Sequence, residues 1–197
     1  MPSIVRVFFA ALVLYSVTAT AQERPEDPLR PLTTCPFGKD LQAKSVTRWT
    51  AGASRMVQTA SGPMSVSVAD GYRMLLAFPG GAPFVNLKLE RSQPGKLAAD
   101  RTAILAQMTS FAATPGAKVA PFKVIERNGV EIMALNNAEL TPGVISVCTL
   151  ISEKSNVIAT AYLLNQKPEQ RKFQTFEQYQ ALRDEFIYSL AVCMAER

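Results

Sequence analysis

FKVIERNGVEIMAL, residues 122–135, is the stretch on which the reading of this fold turns. Asn128-Gly129 at its centre tolerates positive φ at both inner positions of a type I′ turn, so it closes a two-residue hairpin loop. Such a loop sets the register. Arg127 faces Val130, Glu126 faces Glu131, Ile125 faces Ile132, Val124 faces Met133 and Phe122 faces Leu135. Alternation then puts Phe122, Val124, Met133 and Leu135 on one face, and Ile125, Val130, Ile132 and Ala134 on the other. Both faces are apolar, which predicts a hairpin covered on both sides and hence a sheet between helices.

The next segment repeats the pattern. Residues 144–164, VISVCTLISEKSNVIATAYLL, form a second hairpin turning at Glu153-Lys154-Ser155-Asn156, again apolar on both faces. A polar, basic loop follows, with Lys167, Arg171 and Lys172. Thr175 with Gln178 three residues on is a capping box, which starts a helix at that point. Phe176, Tyr179, Leu182, Phe186, Leu190 and Cys193 recur every three or four residues from there to the C-terminus.

Upstream, short strands are expected near residues 45–49 and 55–60. Met64, Val66 and Val68 alternate with serines, and Tyr72, Met74, Leu76 and Phe78 form a second alternating run after an expected turn at Asp70-Gly71. Val85, Leu87 and Leu89 make the cleanest strand, stopped at Pro94-Gly95. Residues 97–112 read as a helix with Ile104, Leu105, Met108 and Phe111 on one stripe and Arg101, Gln107 and Ser110 directed elsewhere. The fold class is therefore α+β: an antiparallel sheet sandwiched between an internal helix and a long C-terminal helix.

Histidine is absent from all 197 residues. That removes Ser-His-Asp and Cys-His catalysis, imidazole metal sites and imidazole proton shuttles. No catalytic, cofactor or metal constellation emerges from the remaining residue types. Gly80-Gly81 lacks the following Lys-Ser/Thr of a phosphate loop, and no Gly-x-Ser-x-Gly or Ser-x-x-Lys occurs.

Residues 1–21 read as a cleaved signal peptide. Arg6 supplies the basic start, residues 7–17 are apolar but too short to span a bilayer, and Ala19 and Ala21 place small residues before a cut at Gln22. Loss of Arg6 takes the net charge from +5 to +4, with 20 basic and 16 acidic residues left. So small an excess does not point to nucleic acid. The mature chain is then a Pro-rich, extended lead-in over residues 22–40 and a single domain over 41–197, with no transmembrane segment, in the periplasm or outside the cell.

An oxidising compartment makes the three cysteines informative. Three pairings are possible. Cys35–Cys193 is favoured, since it ties the loose lead-in to the last helix, and it leaves Cys148 as a buried free thiol. Chain entropy separates the options little, at about 5 kcal/mol for that long loop and about 4 kcal/mol for Cys148–Cys193.

Strands, one helix, two hairpins and a long closing helix follow in that order. With Asp70-Gly71-Tyr72 before a strand, the Asn128-Gly129 hairpin, and a closing helix led by Phe173 and Phe176, residues 64–195 resemble the PsbP-like and DcrB-like α/β/α sandwich proteins. The resemblance implies a central antiparallel sheet with helices on both faces and a non-enzymatic accessory or assembly role. It carries no catalytic residues over.

The function expected is a non-catalytic accessory or protein-binding module of the cell envelope, with a protein partner and no cofactor. One alternative is a hydrolase or isomerase using carboxylates or lysine, which requires such groups to converge in a buried cleft. Another is contact with the envelope surface through the basic loop at residues 167–172. Glu126 and Glu131, facing each other across the hairpin, read as an exposed pair relieved by water and Arg127, or as half of a site for a cation or cationic partner.

Overall fold

The computed structural model describes residues 27–50 and 54–197; Ala19, Ala21 and Gln22, where a signal-peptide cut is expected, lie outside them. Eight strands and two helices follow in the order β1 (Gln42–Thr50), β2 (Ser54–Thr59), β3 (Gly62–Ala77), β4 (Pro83–Ser92), α1 (Leu97–Ala112), β5 (Lys123–Arg127), β6 (Val130–Asn136), β7 (Val144–Ser152), β8 (Val157–Leu164) and α2 (Phe176–Glu196). The strands pair antiparallel in the order β1-β3-β4-β8-β7-β6-β5, with β2 on the first half of β3. The chain is α+β, and the two helices lie on opposite faces of the sheet.

Those faces carry separate cores. On one, Tyr179, Phe186, Leu190 and Met194 of α2 pack with Leu87, Leu89, Ile132 and Leu150. On the other, Ala103, Ile104 and Met108 of α1 pack with Val66, Val68, Met133, Ile151 and Ile158. Met133 and Ile132 are adjacent in β6 yet belong to different cores, as the alternation predicts.

β3 corrects the sequence reading. Asp70-Gly71 is no turn; the strand runs straight through it. Val68 pairs with Ser92 and Asp70 with Arg91, so Ala69 is an extra residue, a bulge. One inserted residue reverses the facing of everything beyond it. Val66 and Val68 therefore face α1, while Met74 and Leu76, also even-numbered, face α2. The bulge marks where β3 exchanges its pairing with β2 for pairing with β1.

The described part of the lead-in, residues 27–40, also departs from the extended form the sequence predicts. Arg30–Thr34 is a 3-10 turn with proline in its first residues, where the missing N–H costs nothing. Leu29, Leu32 and Phe37 are buried in the α2 core, so this segment belongs to the domain. Cys35 and Cys193 form a disulfide, with sulfurs 2.12 Å and Cα atoms 5.9 Å apart, and Cys148 is a buried free thiol. The Tyr72 hydroxyl also holds the segment by donating to Asp27 at 2.5 Å.

Both helices occupy the residues their periodicity predicts. The Thr175 hydroxyl accepts from the Gln178 N–H, and the Gln178 side chain accepts from the Thr175 N–H, so the capping box is complete. The stripe on α1 is shifted, however. Phe111 is exposed, and the buried side is Asp100, Ala103, Ile104 and Met108. Arg101 and Ser110 point at partners: Ser110 accepts from the Ala60 N–H, and Arg101 reaches β6. Among the described residues, no helix is long and apolar enough to cross a membrane.

Candidate functional site

Asn128 and Gly129 adopt φ of 54° and 74°, the left-handed values of a type I′ turn. The hairpin register is the one the sequence predicts, from Arg127–Val130 to Lys123–Ala134. Its environment is different. β6 pairs on both sides, whereas β5 ends the sheet, and all five of its residues are exposed. The expectation of a hairpin covered on both sides thus holds for β6 and fails for β5. Val124 and Ile125 stand 42% and 44% exposed, unusual for β-branched residues on a strand.

A groove opens on each face of this edge. The larger, about 850 Å³, lies toward the start of α1 and is lined by Val124, Glu126, Glu131, Glu153, Arg101 and Leu97, among others. The smaller, about 230 Å³, lies toward α2 and includes Ile125, Ile132, Ile187 and Tyr188. The sheet edge therefore projects between the two helical layers, with an acidic cleft on one side and a mainly apolar one on the other.

Arg101 forks onto Glu131 with Nε and Nη2 each 2.5 Å from a carboxylate oxygen. Donating to the Glu131 carboxylate holds the guanidinium pKa above its ordinary value. Glu131 is thus relieved by Arg101 and not by Arg127, which lies 4.0 Å over the Tyr188 ring on the other face. Glu126 and Glu153 make no ion pair among the described residues. The acidic groove keeps two uncompensated carboxylates on a chain whose net charge is +5.

The basic loop divides. Arg171 donates to Asn165 Oδ1 at 3.2 Å and lies over Phe173, so it anchors the loop. Lys167 and Lys172 remain exposed on either side of the 3-10 turn Pro168–Gln170. Three cations therefore do not present together.

The buried Asp70 and Glu90 and the partly buried Asp27 meet arginines, whereas the buried Asp100 is held by Ser67 and Ser92. Asp70 pairs with Arg91 at 2.7 Å, Glu90 with Arg55 at 3.1 Å, and Asp27 with Arg48 at 3.3 Å. Burial pushes Asp27 up, but bonds from the Tyr72 hydroxyl and the Leu29 N–H, with Arg48 nearby, leave its pKa below the ordinary value. Lysine meets a carboxylate at Lys118–Glu139, which is exposed. The convergence a carboxylate-lysine hydrolase requires is not seen among these described ion pairs. Cys148 is held as a thiol, its pKa pushed up to about 12 by burial.

No family model, curated protein or solved structure matches this chain. Its geometry must carry the functional reading. Sequence reasoning missed the edge position of β5 and the Arg101–Glu131 fork. Pro121 and the brevity of the strand were the available signals for the first. The second joins residues 30 apart on different elements, which no periodicity links.

Proposed function

We propose that this protein is a non-catalytic protein-binding module of the cell envelope, with the β5 edge as its working surface. The observation that carries the reading is a regular strand edge, unpaired among the described residues, with exposed Val124 and Ile125 set between two grooves. Exposed β-branched residues beside open backbone groups favour association over solvation. β1, at the opposite end of the sheet, carries a bulge between Ala43 and Ser45, which blunts it. The pattern resemblance to PsbP-like and DcrB-like proteins points toward the same accessory role. The disulfide and the N-terminal signal reading support export.

The test is a pull-down from envelope extract with the wild-type chain and with Val124→Pro as bait. Proline at Val124 removes an outward N–H and leaves the hairpin bonds of β5 intact. A specific envelope protein is expected on the wild-type bait and lost from the variant. Recovery of nothing above a bait-free control would overturn the reading.

A further inference from the structure

The outward face of β5 has a readable chemistry. A two-residue loop makes Arg127–Val130 a hydrogen-bonded pair. By alternation the backbone groups of Lys123, Ile125 and Arg127 turn toward β6, and those of Val124 and Glu126 turn outward. The outward pair offers two N–H donors and two C=O acceptors. Side chains alternate in the same way. Val124 and Glu126 border the acidic groove alone, Lys123 borders the other alone, and Ile125 reaches both.

We infer that β5 takes an extended segment of a partner protein as an added antiparallel strand, one whose basic and apolar side chains alternate. This rests on the binding-module reading above and names the partner's chemistry. Directly opposed residues share a face, so a residue opposite Glu126 enters the groove that Glu126, Glu131 and Glu153 line. Only Glu131 is neutralised there, by Arg101. A lysine or arginine entering it meets Glu126 and Glu153, complementary charges in a partly enclosed cleft. The residue opposite Ile125 enters the other groove, against Ile187 and Tyr188, and is apolar.

A second copy of this chain is a poorer occupant. Antiparallel self-pairing centred on Ile125 sets Lys123 of each copy against Arg127 of the other, like charges at both ends. These two residues protect the edge from itself while leaving it open to a strand of different pattern.

The experiment uses a fluorescent heptapeptide, Lys-Val-Lys-Ile-Lys-Val-Lys, titrated into the disulfide-bonded protein and read by anisotropy. Saturable binding that weakens as salt rises is expected. Val124→Pro should weaken it about tenfold, and Glu126→Gln combined with Glu153→Gln by a similar factor. The same peptide N-methylated at alternate residues tests the backbone bonds without altering the protein, and should not bind. Equal binding by a Glu-Val-Glu-Ile-Glu-Val-Glu peptide, or undiminished binding by the N-methylated one, overturns strand addition. So does a concentration-dependent dimer abolished by Val124→Pro, which makes a second copy the occupant. If an envelope protein is still captured by Val124→Pro while the lysine peptide fails to bind, strand addition at β5 falls, and the protein is a binding module working through another surface.

Discussion

The indole of Trp49 fills the place where residue 71 would carry a side chain. A β-carbon on Gly71 would come within 2.5 Å of Trp49 Cζ2 and 2.6 Å of the Leu89 carbonyl oxygen. Trp49 and Gly71 are register partners across β1 and β3, next to the bulge that reverses the strand. Gly71 is needed here for space. Gly71→Ala should therefore destabilise the fold by about 2–3 kcal/mol, the upper range for an overpacked core, because backbone lies on one side and a rigid ring on the other. Urea unfolding followed by tryptophan fluorescence measures this directly, and an unchanged midpoint would show that Trp49 moves aside freely.

Asp100 is the one fully buried carboxylate of α1. It accepts from the Ser67 N–H at 2.7 Å and from the Ser92 hydroxyl at 2.6 Å, stitching the helix to β3 and β4. Removing it leaves one buried and one partly buried donor unpaired. Asp100→Ala should cost about 3 kcal/mol, and Asp100→Asn less, since the amide oxygen keeps one acceptor. Equal losses for the two variants would show that charge matters here and hydrogen bonding does not.

The disulfide closes a loop of 158 residues, and the segment it ties buries Leu29, Leu32 and Phe37. Both effects act in one direction. Cys35→Ala should lower stability by about 3–5 kcal/mol, from loop entropy offset by residual structure in the unfolded chain. Proteolysis should then cut first between residues 27 and 41, which mass spectrometry of early fragments would reveal. Early cleavage within β5 instead would count against this order of release.

Much of this fold is legible in local pattern. Asn128-Gly129, the Glu153–Asn156 turn and the Thr175–Gln178 box each act within a few residues, so the hairpins and α2 stand where their signals put them. The bulge at Ala69 was not legible, because the apolar residues stay on even numbers before and after it and Asp70-Gly71 between them reads as a turn. Alternation reports that a strand is half-buried and says nothing about which layer each half meets. The same limit hid the edge. Val124 and Ile125 look like residues of a covered strand, and only the order of strands reveals that, among the described residues, β5 pairs on one side alone, with β6.

Arg101 and Glu131 join the start of α1 to the hairpin in a partly exposed setting. Solvent screens such a pair, so Arg101→Gln should cost under about 1 kcal/mol of stability. Its larger effect should be on the groove, where it frees a third carboxylate. Binding of the lysine peptide should tighten several-fold, most clearly at low salt. Weaker binding would mean that Arg101 orders the groove rather than neutralising it.

Cys148 provides a pH test with a defined sign. Burial raises its pKa from 9.0 to about 12, and burial likewise raises that of Tyr179, whose hydroxyl donates to Ser146 at 2.6 Å. The unfolded thiol ionises above pH 9 while the folded one stays protonated, so over that window the unfolded state holds fewer protons. The stabilisation is complete below pH 9 and is lost progressively as pH rises toward 12. The slope from Cys148 alone should be about 1.4 kcal/mol per pH unit, and Tyr179 steepens it above pH 10. Comparing denaturant midpoints at pH 8 and pH 10.5 for the wild type and Cys148→Ala isolates the thiol. The variant should lose less stability across that interval. In the native protein at pH 8, a thiol reagent should leave Cys148 unmodified until denaturant is added, and rapid modification would contradict its burial against α2.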